Sequence, residues 1–341
     1  MDLSILICTH NSGNRIRKTL SHILNQKNVD KLDYEVLMVD YKSTDNTKKI
    51  GLDLFENSKI PLKIIDEKKQ GKTPALETGL YASKGNAICI VDDDNWIDEN
   101  YISTAHKIIN EKLDVGVIGA FGMPHCEIVP PLWFSNYPGT YAIGHQGKNS
   151  GYVTDPNRLW FWGAGSVFRK KAWLKAKNNG FKPFFNPTRG KNSTTFTKGF
   201  TGGEDPEMCF AIQICGYRLW YEPSLIYTHF IPKSRLTEKF ILNATSGTAA
   251  AAPVLRIYIA QITKNKFLKF FRSFFYQNFF PHLLLMYYKY LMVFVNNLFN
   301  KFNNRIELER AKTEYLSQID SLYRLRTDYS KIVKSVKSIK N

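Results

Sequence analysis

Ala87-Ile88-Cys89-Ile90-Val91-Asp92-Asp93-Asp94-Asn95 is the stretch on which the reading of this chain turns. Five apolar residues run straight into three carboxylates. A short unbroken apolar run suits a strand covered on both faces, as in parallel sheets. Acids at its carboxyl end would stand at the rim where open α/β sheets bind ligands. Three adjacent negative charges repel one another unless a cation sits among them. Oxygen ligands at such a rim suit Mg2+ or Mn2+, with substrate phosphates completing the shell. A solvated acidic turn leading into a helix near Asp98 is the plainer alternative, and the stretch alone leaves both open.

Upstream, Leu3 to Thr9 reads as a buried strand, Arg15 to Gln26 as a helix, and Tyr34 to Asp40 as a second strand ending in an acid. A capped helix follows Ser43-Thr44-Asp45-Asn46-Thr47. Leu62 to Asp66 is a third strand, and Gly71-Lys72-Thr73-Pro74 opens a helix running to Ala82. Strands alternating with helices predict a mostly parallel sheet covered by helices. Neither Gly-x-Gly-x-x-Gly nor Gly-x-x-x-x-Gly-Lys-Ser/Thr occurs at the strand ends, which disfavours a dinucleotide-binding Rossmann site and a P-loop. Thr9, Asn11, Asp40, Asp92 and Asp94 gather there instead; each alone reads as a cap or turn residue, and their coincidence is the signal.

Downstream, Val115 to Gly122 reads as a strand, and Trp160 to Phe168 as another carrying Gly163 and Gly165. Glycine within a strand marks either a close approach or a packing bulge. Gly144–Pro156 and Phe184–Gly203 lack periodicity and are expected to be lids or acceptor clamps. Gly202-Gly203-Glu204-Asp205-Pro206-Glu207 opens a helix through about Cys215; three acids exceed what capping needs. Strands follow at Arg218–Glu222 and Ser224–Thr228, and then His229, which read alone is a satisfied core histidine.

Taken together these residues resemble the family 2 glycosyltransferases of the GT-A fold, over about residues 3–235. The carriers occur in the family's order: CTHNS, Asp40, GKTPALETGL, the DxD element Asp92-Asp93-Asp94, WFWGAGSVF, Gly203-Glu204-Asp205 and YTHF. The resemblance implies a nucleotide-diphospho-sugar transferase fold, an α/β Rossmann-like sheet with helices on both faces, extended here by an α-helical C-terminal region. It places Thr9, Asn11 and Asp40 on the base and ribose, and Asp92 on ribose or metal. Asp93, Gly163 and Gly165 fall on the donor side. Asp94 and His229 would ligate a divalent Mn2+ or Mg2+, and Asp205, with Glu204 beside it, would be the general base. Lys72 would reach the diphosphate, unless it is a solvated lysine at a helix start. The implied reaction is inverting transfer from a nucleoside-diphosphate sugar, uridine by default, to a glycan or lipid-linked hydroxyl. The Gln-x-x-Arg-Trp segment of processive synthases is missing, so transfer of a single residue is expected. A non-catalytic sugar-nucleotide-binding protein and a membrane scaffold remain the other readings.

The 341 residues carry a net charge of +17, and Arg256–Asn341 holds sixteen Lys/Arg against five Asp/Glu. The five cysteines are scattered without metal-ligand spacing, which reads as reduced thiols in a cytoplasmic protein. The start is a strand and not a signal peptide. From Lys264 to Phe302 aromatic residues mix with Lys and Arg but form no clean span. Such a mixture predicts either helices lying on an anionic membrane, at the inner face of the cell membrane, or a helical layer packed on the sheet. Nucleic acid is disfavoured because polar and Gly-rich recognition elements are missing. Residues 236–303 are taken as this membrane-associating region and 304–341 as an amphipathic helix. Leu308, Tyr315, Leu322, Tyr329 and Val336 recur every seven residues, with Ala311, Gln318, Leu325, Ile332 and Ile339 three positions on. That stripe suits either a coiled coil joining copies, slightly favoured, or docking on its own chain.

Overall fold

A computed structural model describes residues 1–155, 159–185, 202–299 and 305–340. Most of Phe184–Gly203, and Pro156, lie outside these. In chain order the elements begin β1 (Leu3–Thr9), α1 (Ile16–Leu24), β2 (Tyr34–Asp40), α2 (Thr47–Phe55), β3 (Leu62–Asp66), α3 (Lys72–Ala82) and β4 (Ala87–Ile90). β5 (Asn95–Ile97), α4 (Tyr101–Glu111), β6 (Val115–Cys126), β7 (Gly151–Tyr152), β8 (Val167–Arg169) and α5 (Lys170–Asn178) follow. The remainder is α6 (Glu204–Ile214), β9 (Arg218–Ile231), α7 (Glu238–Ile262), α8 (Lys266–Gln277), α9 (Phe279–Phe299), α10 (Arg305–Leu325) and α11 (Tyr329–Ser338).

The sheet order is β3-β2-β1-β4-β8-β6-β9-β5, with β7 paired to β9. β1, β2, β3, β4, β6 and β9 share one direction; β5, β7 and β8 run against them. Every residue of β1, β2 and β4 is buried, because their unbroken apolar runs meet helices on both faces. β1 lies between β2 and β4, so successive crossovers leave it in opposite directions along the sheet. The carboxyl ends of β1, β2 and β4, where open α/β sheets bind ligands, carry Thr9, Asp40 and the Asp92–Asp94 turn.

Several expected boundaries shift. The acidic strand stops at Ile90, and Asn95 N–H closes a turn on the Asp92 carbonyl before β5 reverses direction. Trp160–Phe168 is not one strand: Ser166 N–H turns back to the Gly163 carbonyl and only Val167–Arg169 pairs. β9 is continuous where the sequence shows two runs. The described part of Gly144–Pro156 is tied to the sheet through β7 and through buried Gln146, whose amide donates to the Ala120 carbonyl at 2.8 Å.

The C-terminal helices share one apolar core with the sheet layer: Leu6, Phe210, Tyr258, Leu322 and Val336 belong to the same cluster. The heptad stripe is not one helix, since α10 ends at Leu325 and α11 begins at Tyr329. Leu322, Leu325, Ile332, Val336 and Ile339 are all buried in this single chain, leaving that part of the seam no room for a second copy. Of the two outcomes for the stripe, docking on its own chain is the one observed. No helix among the described residues is long and apolar enough to cross a membrane. Leu322→Ala is expected to cost about 2–5 kcal/mol in chemical denaturation without altering the oligomeric state measured by light scattering.

Candidate active site

The three aspartates after β4 point in three directions, and each meets its own cation. Lys72 Nζ, from the start of α3, lies 2.5 Å from Asp92 Oδ1. Arg15, just before α1, grips Asp93 with Nε at 3.0 Å from Oδ1 and Nη2 at 3.1 Å from Oδ2. Arg235, after β9, stands 3.4 Å from Asp94 Oδ2. Charges withdrawn from water are tolerable only when paired, which explains how three adjacent acids, half-buried at 92 and 93 and buried at 94, persist.

Asp93 departs from the donor-binding role expected of it. Besides Arg15, it accepts from Thr9 Oγ1 at 3.1 Å and from the Ser12 hydroxyl, while its carbonyl accepts from Thr19 Oγ1 at 3.0 Å. Burial and then Asp94 raise its pKa, and Arg15 pulls it back. It anchors the acidic turn to β1 and α1. Thr9 is thereby turned toward Asp93.

Asp94 and His229 are both buried, with Oδ2 and Nε2 3.6 Å apart. β5 pairs Asn95 with His229 across the sheet, and Phe230 N–H donates to the Asp94 carbonyl at 2.9 Å, so backbone registry sets this approach. His229 Nδ1 donates to the Tyr141 carbonyl at 2.7 Å, leaving Nε2 toward Asp94. A second hydrogen bond of this kind is what orients a ligating histidine. Burial works against the charge of Asp94, and the His229 and Arg235 side chains more than offset it. The pair fits a divalent ion that draws its remaining ligands from phosphate and water; among the described residues no cluster of three or more His, Cys, Asp or Glu is arranged around one ion. Arg235 Nη1 is also 3.1 Å from His229 Nε2, so an ion seated there must displace it.

Lys72 connects this rim to the second acidic motif. Burial disfavours its charge, but Asp92, Asp205 and Glu204 outweigh that and hold its pKa well above the usual lysine value. Buried Tyr227 likewise lies in the field of Asp92, Asp205, Lys72 and Asp94. Carboxylates more than a hundred positions apart therefore share one neighbourhood. Asp205 accepts from Gly163 N–H at 2.7 Å, and burial raises its pKa. A Cβ at Gly163 would come within 2.2 Å of Asp205 Oδ1, so the glycine is what admits this carboxylate. Gly165, at φ +66, makes room for Tyr227 and Tyr101. Both glycines thus face protein groups, where the sequence placed them on the donor. Glu204 is raised to about 7 by burial and by Asp205, and its buried Oε2 has no partner among the described residues.

Asn11 and Asp40 frame the other end of the cleft. Asn11, at φ +49, accepts from Thr44 N–H at 2.8 Å, and Asp40 Oδ1 accepts from Ser43 N–H at 2.9 Å. Asp40 Oδ2 is buried with no partner among the described residues, an acceptor still to be matched. Sequence reasoning missed Arg15, Arg235, Tyr227 and Glu207. Nothing local marks the arginines as partners of the acids. Glu207 was one of the acids exceeding a cap: wholly buried, it accepts from Phe184 N–H at 2.9 Å and Tyr258 Oη at 2.8 Å.

The profile of the family described as Glycosyl transferase family 2 matches residues 4–176. Glycosyltransferase GlyG of Streptococcus pneumoniae is 32% identical over 122 residues, which are 35% of this chain and 38% of that protein. Poly(ribitol-phosphate) beta-N-acetylglucosaminyltransferase TarP of Staphylococcus aureus is 24% identical over 36% of this chain and 37% of that protein. The match thus spans little more than a third of either relative. Among solved structures, S. aureus TarS 1–349 in complex with UDP-GlcNAc aligns with TM-score 0.52 at 17% identity, over 99% of this chain and 92% of that one. The mannosyltransferase PcManGT of Pyrobaculum calidifontis, in complex with GDP-Man and Mn2+, aligns with TM-score 0.53 at 16% identity, over 99% and 85%. At these identities the structural likeness is one of fold.

Burial raises the pKa of Glu207 to about 8. The folded chain therefore keeps this proton well above the point, near pH 4.3, where an unfolded glutamate gives it up. Stability contributed by this group is complete below that point and is lost as pH rises toward 8, with a slope of up to about 1.4 kcal/mol per pH unit. Urea titrations from pH 5 to 8 should show Glu207→Gln losing less stability than the unsubstituted protein.

Proposed function

The chain belongs to glycosyl transferase family 2, and from that premise we propose that it is an inverting, metal-dependent glycosyltransferase of hexosyl or N-acetylhexosaminyl type. It moves one sugar from a nucleoside-diphosphate sugar, a UDP-sugar by default, to a hydroxyl of a glycan or lipid-linked acceptor in the making of cell-surface polysaccharide or glycoconjugate. It works in the cytoplasm at the inner face of the cell membrane. The observation that carries this reading is Lys72, which pairs with Asp92 and lies in the field of Asp205 and Glu204. Neighbours of like fold held with UDP-GlcNAc and with GDP-Man and Mn2+ support the donor class.

In this mechanism Asn11 and the open acceptor of Asp40 receive the base and ribose. Lys72 is placed to pass from Asp92 to the diphosphate. Asp94 and His229 would hold Mn2+ or Mg2+, which when bound neutralises charge developing on the departing diphosphate. Asp205, with its pKa raised, takes the acceptor hydroxyl's proton as that oxygen attacks the anomeric carbon. A single displacement inverts that carbon. Glu204, raised to about 7, limits the negative charge beside the base when protonated.

Release of nucleoside diphosphate from a panel of sugar nucleotides with Mn2+ tests the reading. Asp94→Ala is expected to abolish release, and Asp205→Asn to lower turnover by roughly 10²–10⁴-fold while donor-induced thermal stabilisation persists. Full turnover by Asp205→Asn would remove it from the role of base. Gly163→Ala, whose Cβ would displace the carboxylate, should lower kcat at least about tenfold with KM for the donor little changed.

A further inference from the structure

α8 and α9 turn apolar side chains outward. On α8 the outward residues are Phe267, Phe270, Phe271 and Phe274, with Phe267 and Phe270 77% and 74% exposed. On α9 they are Phe280, Leu284, Tyr288 and Leu291, one helical stripe, with Phe280 and Leu284 77% and 69% exposed. The inward face of α9 is already spent: Met286 is fully buried, and Leu283 and Tyr290 pack on the core. A helix in water carries polar residues on its outer face; α9 is apolar on both. The two helices are consecutive, joined at Asn278. Apolar exposure concentrated in this way marks an interaction surface.

Its charge selects the occupant. From Lys264 through Ile306 the chain has no Asp or Glu. Lys264 and Lys266 are exposed at the start of α8, and Lys264, Lys269 and Arg272 join Lys340 on a cleft of about 700 Å³ beside it. A second copy would bring like charges face to face, and α9 is not long and apolar enough to cross a bilayer. We propose that the outward faces of α8 and α9 seat this protein on an anionic lipid bilayer, with the phenylalanines at the acyl boundary and the lysines among the headgroups. This deepens the membrane location proposed above by naming its surface and lipid class.

Sedimentation of the full chain with phosphatidylglycerol/phosphatidylcholine vesicles tests it. Binding is expected to be at least tenfold stronger than to phosphatidylcholine alone. Phe270→Glu/Phe274→Glu should weaken it at least tenfold with the thermal midpoint kept. Lys264→Glu/Lys266→Glu, at exposed positions, should lower binding to the anionic vesicles only. Absence of vesicle binding, equal binding to neutral vesicles, or self-association that Phe270→Glu/Phe274→Glu relieves would each overturn the proposal, as would RNA displacing the vesicles. Sedimentation needs no turnover, so a membrane-bound but inactive chain would sink the catalytic reading and leave this one standing.

Discussion

Three consecutive carboxylates, two half-buried and one buried, cannot stand without counter-charge, and the site is arranged to meet that constraint. Asp92, Asp93 and Asp94 take Lys72, Arg15 and Arg235, drawn from the start of α3, the approach to α1 and the turn after β9. The three pairs differ in permanence. Arg15 holds Asp93 with two nitrogens and is backed by Thr9 and Ser12, which makes it a fixed strut. Lys72 and Arg235 each contact one oxygen of their partner, and in the proposed mechanism these are the pairs that a phosphate or a divalent ion would exchange with.

The same economy of space governs the second acidic motif. Asp205 reaches the cleft only because residue 163 has no side chain, and Tyr227 only because residue 165 has none. Glu207, two residues further along α6, lies on the opposite side of the helix and binds Tyr258 of α7. One short helix start therefore presents the proposed base on one side and fastens the C-terminal helices on the other. Those helices share the core beneath the sheet, so the catalytic layer and its extension are mechanically one body there.

Farther out, α9 is apolar toward both the protein and the surroundings, and α8 turns phenylalanines outward. Together with the cations at their edge, this is the surface proposed to meet an anionic bilayer. A lipid-linked acceptor would meet the cleft at that surface.

The sequence by itself determined the mostly parallel sheet and the order of the motifs, and it named the candidates Asn11, Asp40, Lys72, Asp92, Asp94, Glu204, Asp205 and His229. Those were legible because buried strands are unbroken apolar runs, and because acids at strand and helix ends are local features. The turn in Trp160–Phe168, the break between α10 and α11, and the fate of the heptad stripe were not legible. Apolar periodicity says that a face is buried without saying what buries it. Only the tertiary structure decided that Asp93 serves the scaffold while its neighbours face the cleft, since β5 pairs Asn95 with His229 and so turns Asp94 toward the histidine. It alone matched each acid to a cation, because charge pairing depends on distance in space and leaves no spacing along the chain.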